Sequence, residues 1–271
     1  MNKYISLLKY ELKNISRDKM NLVMIFYPAI MIALSLGVFP LIIRSSQDTL
    51  SEANSTIMVL ILLVMILTLG SIYMSALLAF LFVEGKDEKT LATIATTPLN
   101  IKGYVIFKST YTLIFSVIGN ILILLFTKYL SGDTYTISFA GDEYNLFRNL
   151  GILEIIVFSI VNSIYMPAFA LLLGGLAKNK IEAFAYVKGS GILVLIPVLL
   201  ALPAFAGSSQ YLLGILPNFW GAKGIIVALL PDVMANSADL SFWWYMLIGA
   251  FFGGAITYPC YKLFLKTAMR V

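Results

Sequence analysis

Six stretches of this sequence run on with almost no charged residue: Leu22–Ile43, Thr56–Val83, Thr110–Leu130, Gly151–Ala177, Ala183–Pro203 and Phe242–Phe264. A helix rises about 1.5 Å per residue, so about 20 apolar residues cross the roughly 30 Å hydrocarbon core of a bilayer. No water is present there to satisfy a backbone, which leaves helices as the form such stretches can take. Of the residues 60% are hydrophobic and 12% charged, against about 25% charged in a soluble domain. The expected fold is an all-α integral membrane protein with six transmembrane helices. No repeat, low-complexity tract or linker divides it, so 1–271 reads as one transmembrane domain. The second stretch exceeds what the core requires and predicts tilt or an extension past the membrane.

Lysine and arginine set the orientation. With the N-terminus inside, fifteen of the 19 basic residues fall on the cytoplasmic side, leaving Arg44, Lys128, Arg148 and Lys223 outside. Both termini are therefore expected in the cytoplasm of a multi-pass cell-membrane protein. The net charge of +5 is spread over loops at that face, so nucleic acid is not an expected partner. Cys260 stands alone and histidine is absent, which removes the usual donors for a metal site, a triad or a proton relay. No cofactor and no enzymatic constellation is expected. A cleavable signal peptide is not expected either, because polar and amphipathic residues precede the first apolar stretch.

Three segments lie outside the spans. Residues 1–21 hold a predicted interfacial helix, Lys3–Arg17. A 100° step gathers Tyr4, Ile5, Leu8, Leu12 and Ile15 on one side, with Lys3, Lys9, Lys13 and Arg17 opposite. Such a helix lies on membrane lipid, either as an anchor or as a lever that also touches a cytoplasmic partner. Residues 204–241 read as short outer helices that dip in and return, broken at Gly207, Pro217 and Pro231. Residues 84–108 form the cytoplasmic segment between the second and third spans. There Glu84, Lys86, Asp87, Glu88 and Lys89 lead into a short predicted helix from Thr90 to Thr97, which Pro98 stops. Leu91 and Ile94 share a face and read as an apolar knob for a partner's groove, with Glu84, Lys86 and Glu88 as rim charges. A plain solvated loop fits the same pattern.

This segment resembles the inner loop of permeases of the ABC type-2 exporter family. Glu84, Lys86, Glu88, Thr90, Leu91, Pro98, Leu99 and Lys108 fall on the family's pattern, while Lys89 and Phe107 stand where it has glycine. The N-terminal helix, the six spans, the Gly174-Gly175-Leu176-Ala177 exit and Leu216-Pro217-Asn218-Phe219-Trp220 also resemble that family. The resemblance implies two permease subunits, identical or different, working with ATP-binding cassette ATPase subunits. It makes Thr90–Thr97 the coupling helix and the cargo a drug, antimicrobial peptide, lipid or glycan moved out of the cytoplasm.

No Gly-x-x-x-x-Gly-Lys-Ser/Thr cradle occurs, because Gly85-Lys86 is followed by Asp87. ATP hydrolysis is therefore expected from a separate chain. Candidates for the substrate pathway are few. Glu154 either reaches the outer interface or serves substrate or gating. Asn162, like Asn120, either joins helices or meets a ligand. Trp220, Trp243 and Trp244 read as outer-interface anchors, and Pro28, Pro40, Pro167 and Pro197 permit kinks. A channel or secondary transporter without an ATPase is the alternative, although it usually carries a paired ionisable site at mid-bilayer.

Overall fold

Helices dominate the computed structural model, which describes residues 3–49, 51–88, 90–91, 100–139, 141–148, 150–191, 198–200, 207–230 and 239–268. In chain order they are α1 (Lys3–Arg17), α2 (Lys19–Ile25), α3 (Tyr27–Ala33), a π-helical turn (Leu34–Val38), α4 (Phe39–Thr49), α5 (Glu52–Asp87) and α6 (Asn100–Leu130). A hairpin of β1 (Thr136–Phe139) and β2 (Asp142–Asn145) follows. Then come α7 (Ile152–Ile164), α8 (Met166–Leu176), α9 (Lys180–Gly189), a 3-10 segment (Gly207–Ile215), α10 (Pro217–Leu229) and α11 (Phe242–Ala268).

Four stretches are long and apolar enough to cross a membrane: Tyr27–Ser46, Glu52–Asp87, Asn100–Leu130 and Ile152–Leu176. They coincide with the first four expected spans. α5 has 36 residues, about 54 Å of helix, so it does extend past a bilayer core. The fifth expected span departs from its sequence reading. α9 closes at Gly189 with a turn through Ser190 and Gly191, and 192–197 and 201–206 lie outside the described residues. α11 has ample length at 27 residues, but Trp243, Trp244, Tyr245, Gly253 and Gly254 dilute its apolar character.

Within the bundle, 61% of the apolar window of α5 and 67% of that in α7–α8 is buried, against 28% for α3–α4 and 33% for α6. α5 and α8 are therefore the inner helices, with α11 packed on α8 and α10 packed on α11. One end of the bundle carries Lys86, Lys108 and Lys180; the other carries the hairpin. Both described termini lie at the basic end, since Glu11 of α1 meets Lys108 and the Phe264 ring of α11 meets Lys86.

Kinks appear where proline removes a donor. Pro167 stands in the first turn of α8, and α7 stops one turn earlier at Ile164. Pro40 follows the π turn and cannot donate to the Ser35 carbonyl that the π pattern would pair with it. The Tyr135 hydroxyl donates to that carbonyl instead, at 2.7 Å. Ser35 Oγ also pairs with Thr127 Oγ1 at 3.0 Å. Through these bonds α3–α4 is pinned to α6 and to the hairpin. The fold is all-α as expected, with one small hairpin added among the described residues: β1 and β2 pair antiparallel, Thr136 opposite Asn145, with Gly141 at φ +91° in the turn.

A tyrosine locks α3 to α5 and α6. The Tyr27 ring, 2% exposed, lies between Gly70 of α5 and Gly119 of α6. A Cβ on Gly70 would fall 2.8 Å from the ring, and one on Gly119 would overlap the hydroxyl. The Tyr27 hydroxyl donates to the Ser116 carbonyl at 3.2 Å. Gly119→Val should therefore unseat α3, at an overpacking cost of about 1–3 kcal/mol, and lower the thermal unfolding midpoint in detergent by several degrees. Tyr27→Phe should shift it much less, since it removes one hydrogen bond worth about 1 kcal/mol. An unchanged midpoint for Gly119→Val would contradict the lock.

Candidate functional site

At the basic end, the last turns of α5 bring Glu84, Gly85 and Lys86 into the protein. Lys86, 7% exposed, donates through Nζ to the carbonyls of Gly174, Gly175 and Ala177, the last two at 3.3 and 3.4 Å. The final carbonyls of a helix have no partner within it and carry the negative end of its dipole. Lys86 thus caps the C-terminus of α8 with a full charge, while the Phe264 ring of α11 lies 5.3 Å beneath the ammonium.

One turn earlier, Glu84 accepts from Lys180 at 2.9 Å and from the Asn14 amide at 3.4 Å. Lys180 also pairs with Asp18 at 3.1 Å, so the triad joins the α1–α2 junction, α5 and the start of α9. Asp18 doubles as the N-cap of α2, accepting from the Met20 and Asn21 backbone at 2.8 and 3.3 Å. Burial raises the Asp18 carboxyl, but the Lys180 and backbone hydrogen bonds outweigh it and hold the group below 3.8. Burial lowers Lys180, and Glu84 with Asp18 overcome it to raise the amine above 10.5. The Asp18 contribution is present above pH 3.8 and fades as pH falls through its lowered value. That of Lys180 is present below pH 10.5 and fades as pH rises through its raised value, so Asp18 and Lys180 are both charged at neutral pH.

A second pair lies deeper. Glu11 of α1 and Lys108 of α6 are 3.3 Å apart, with side chains 2% and 3% exposed. Tyr104 and Tyr111 donate to the two Glu11 oxygens at 3.1 and 3.5 Å, and Lys108 donates to the Leu81 carbonyl of α5 at 3.1 Å. Every charge in this knot is met by oxygen or nitrogen of the same chain, the condition on which a buried ion pair can persist.

Near the middle of the bundle lies a neutral layer. Asn162 of α7 donates to the Leu67 carbonyl at 2.9 Å and to Ser71 Oγ at 3.1 Å. Asn120 of α6 donates to Ser71 Oγ at 3.0 Å and Ser163 Oγ at 3.2 Å, and Ser116 pairs with Ser163 at 2.9 Å. This joins α5, α6 and α7 by side-chain hydrogen bonds.

The candidate residues fall as follows. Glu84 and Lys86 are not rim charges: both are buried and bound within the chain. Glu88 is exposed and Thr90 half-buried. Leu91 does not project as a knob, since it is 4% exposed and lies 3.4 Å from where a Gly85 Cβ would stand. Ile94 and Pro98 lie outside the described residues. Glu154 accepts from the Gly151 N–H at 2.7 Å, closing the N-terminus of its own helix. Asn162 joins helices. Trp220 is turned inward, its indole donating to the Gly214 carbonyl at 3.0 Å, whereas Trp243 and Trp244 are exposed.

Glu11, Asp18 and Lys180 escaped the sequence reading. Glu11 had a visible signal, because it follows Leu8 by three positions and precedes Ile15 by four, on the apolar side of α1. In the structure Glu11 and Ile15 face the bundle, while Ile5 and Leu12 are exposed. Removing one partner of a buried pair costs about 3–5 kcal/mol, and replacing both by apolar residues costs far less. Glu11→Leu and Lys108→Met should each depress the thermal midpoint strongly, and the double variant should recover most of the loss. Additive losses in that cycle would show that the two side chains do not interact.

Four described stretches are long and apolar enough to cross a membrane, and comparison with known proteins names a family of membrane permeases. The family model described as Fluoroquinolones export permease protein Rv2686c-like matches residues 11–142 and 143–261. Two relatives from Mycobacterium tuberculosis are the Fluoroquinolones export permease proteins Rv2686c (strain H37Rv) and MT2760 (strain CDC 1551). Each is 27% identical over 208 residues, covering 76% of this chain and 71% of its own length. The chain belongs to the Rv2686c-like family of export permeases.

Proposed function

We propose that the chain is the transmembrane permease subunit of an ATP-binding cassette exporter, working with a second permease copy or homologue and with separate ATPase chains. Fluoroquinolone-like drugs are the first substrate class to test, given the names of its relatives. The observation that carries the reading is the charge knot. The segment expected to meet an ATPase, 84–108, begins at Glu84 and Lys86. These bind α8 and α9 and, through Asn14 and Lys180, the N-terminal helix. A push that arrives at Glu84 and Lys86 bears on α1, α5, α8 and α9 through these side-chain bonds.

The proposed topology has six spans, cytoplasmic termini and α1 lying along the inner interface. Its support is geometric. Lys180 sits at the basic end with Glu84, whereas Trp220 packs on Tyr245 near the start of α11, toward the hairpin end. A fifth span joining these two ends, with α11 as the sixth, is the connection proposed. α10, at 13 residues, is about 20 Å long and too short to cross, as a re-entrant outer segment would be. In a Cys260→Ser background, a cysteine at Glu143 should react with an impermeant thiol reagent on intact cells, and one at Lys102 should not. The reverse pattern would invert the orientation.

Coupling is tested at Leu91. Leu91→Asp sets a carboxylate in a buried contact, a desolvation cost of several kcal/mol without a partner, and should detach the segment from Gly85. ATPase co-purification or drug-stimulated hydrolysis should fall at least tenfold. Glu88→Gln, at an exposed charge, should change little. If no P-loop ATPase co-purifies and export runs on an ion gradient alone, the chain is a secondary transporter.

A further inference from the structure

Away from the charge knot, α6, α8 and α11 enclose an apolar groove of about 420 Å³. Ile106, Ser109 and Leu113 form one wall, Leu171 the floor, and Gly254 and Tyr258 the other wall. Along α6 it runs from Val105 to Leu113, about 12 Å at 1.5 Å per residue, close to the thickness of one leaflet of a roughly 30 Å core. Its long axis therefore lies along the direction in which a lipid chain runs.

The ends of the groove differ. Toward the basic end, Lys102 stands one turn before Ile106 on the same stripe of α6 and is exposed. Across the groove, the Lys262 ammonium lies 4.4 Å from the centroid of the Tyr258 ring, which lines the groove. Lys266 is exposed one turn further along α11. In addition, Ser109 Oγ is buried and has no hydrogen-bond partner among the described residues.

We propose that this groove is a binding site for one anionic phospholipid, an acyl chain lying between α6 and α11 and the headgroup phosphate meeting Lys102 and Lys262. An apolar trough of leaflet depth opening beneath two cations has the form of basic lipid sites between membrane helices. Lysine stems cover apolar surface while their ammonium groups reach the headgroup level, where a phosphate and not a zwitterion's outer choline gives net attraction. The free Ser109 hydroxyl supplies a donor for an ester oxygen. A second copy is a poorer occupant, since a two-fold interface over this face would gather the Lys102 and Lys262 of both chains.

The proposal rests on these helices spanning a bilayer and not on an ATPase, so failure of coupling to ATP leaves its test intact. Full-length protein in detergent is mixed with phosphatidylglycerol or phosphatidylcholine of identical chains, and retained lipid is counted by native mass spectrometry. The wild type should retain phosphatidylglycerol about thirtyfold more strongly, the scale set by two basic residues near a lipid phosphate. Lys102→Gln with Lys262→Gln should bring the two lipids to parity without unfolding, both positions being exposed. Gly254→Leu should abolish retention of both lipids in the groove. A Cβ at Gly254 meets nothing within 4 Å, so this variant fills the groove without a clash. Unchanged phosphatidylglycerol retention in Gly254→Leu overturns the proposal, as does a persisting preference in the lysine pair. Conversion of a dimer to a monomer by Gly254→Leu would assign the groove to a second copy and overturn it equally.

Discussion

An ammonium group carried into an apolar bundle must be given oxygen by the protein, because lipid offers none and water is excluded. Lys86 and Lys108 are held under that constraint at one end of the molecule. Lys86 takes the free carbonyls at the end of α8, and Lys108 takes Glu11 together with a carbonyl of α5. Each arrangement fixes helix ends relative to one another. A carbonyl cap works only if α8 stops beside Lys86, and the Glu11 pair only if α1 lies against α6. The placement of the N-terminal helix, the exit of α8 and the start of α9 all follow from satisfying these charges.

The neutral layer across the middle obeys a softer version of the same rule. Asn120, Asn162, Ser71, Ser116 and Ser163 hydrogen-bond to one another, with Asn162 Oδ1 left unpaired among the described residues, and hydrogen bonds between membrane helices are worth on average about 0.6 kcal/mol. Breaking one partner out of a buried ion pair costs several times more. The bundle thus has a stiff end and a more yielding middle. The Tyr27 lock holds the outer helix beside that middle layer.

The first four apolar spans were legible in the linear chain, and so were the breaks at Pro167 and Pro40. Pro167 and Pro40 mark breaks because a missing N–H is a local fact that no neighbour can restore. The pattern at 84–108 marked the segment where charge returns after an apolar run. Glu84, Lys86 and Leu91 turn inward instead of outward, while Glu88 is exposed as expected. Glu84 and Lys86 read as solvent-facing because a charge next to a membrane surface ordinarily faces water. Their true partners, Lys180 and the Gly174–Ala177 carbonyls, lie about ninety positions away. Glu11 was the exception that spacing could have revealed, since it breaks the apolar stripe of α1.

The sequence by itself determined that this chain is helical, embedded in a membrane and basic at one end. Those properties depend on summed transfer free energies along short windows, which sequence records completely. Only the tertiary structure decided which face of α1 meets the bundle, that Leu91 and Lys86 point inward, that Glu154 serves its own helix, and that a tyrosine fits between two glycines. Each of these depends on the rotation of one helix against another. That rotation is set by contacts between residues far apart in the chain, and no local window contains both partners.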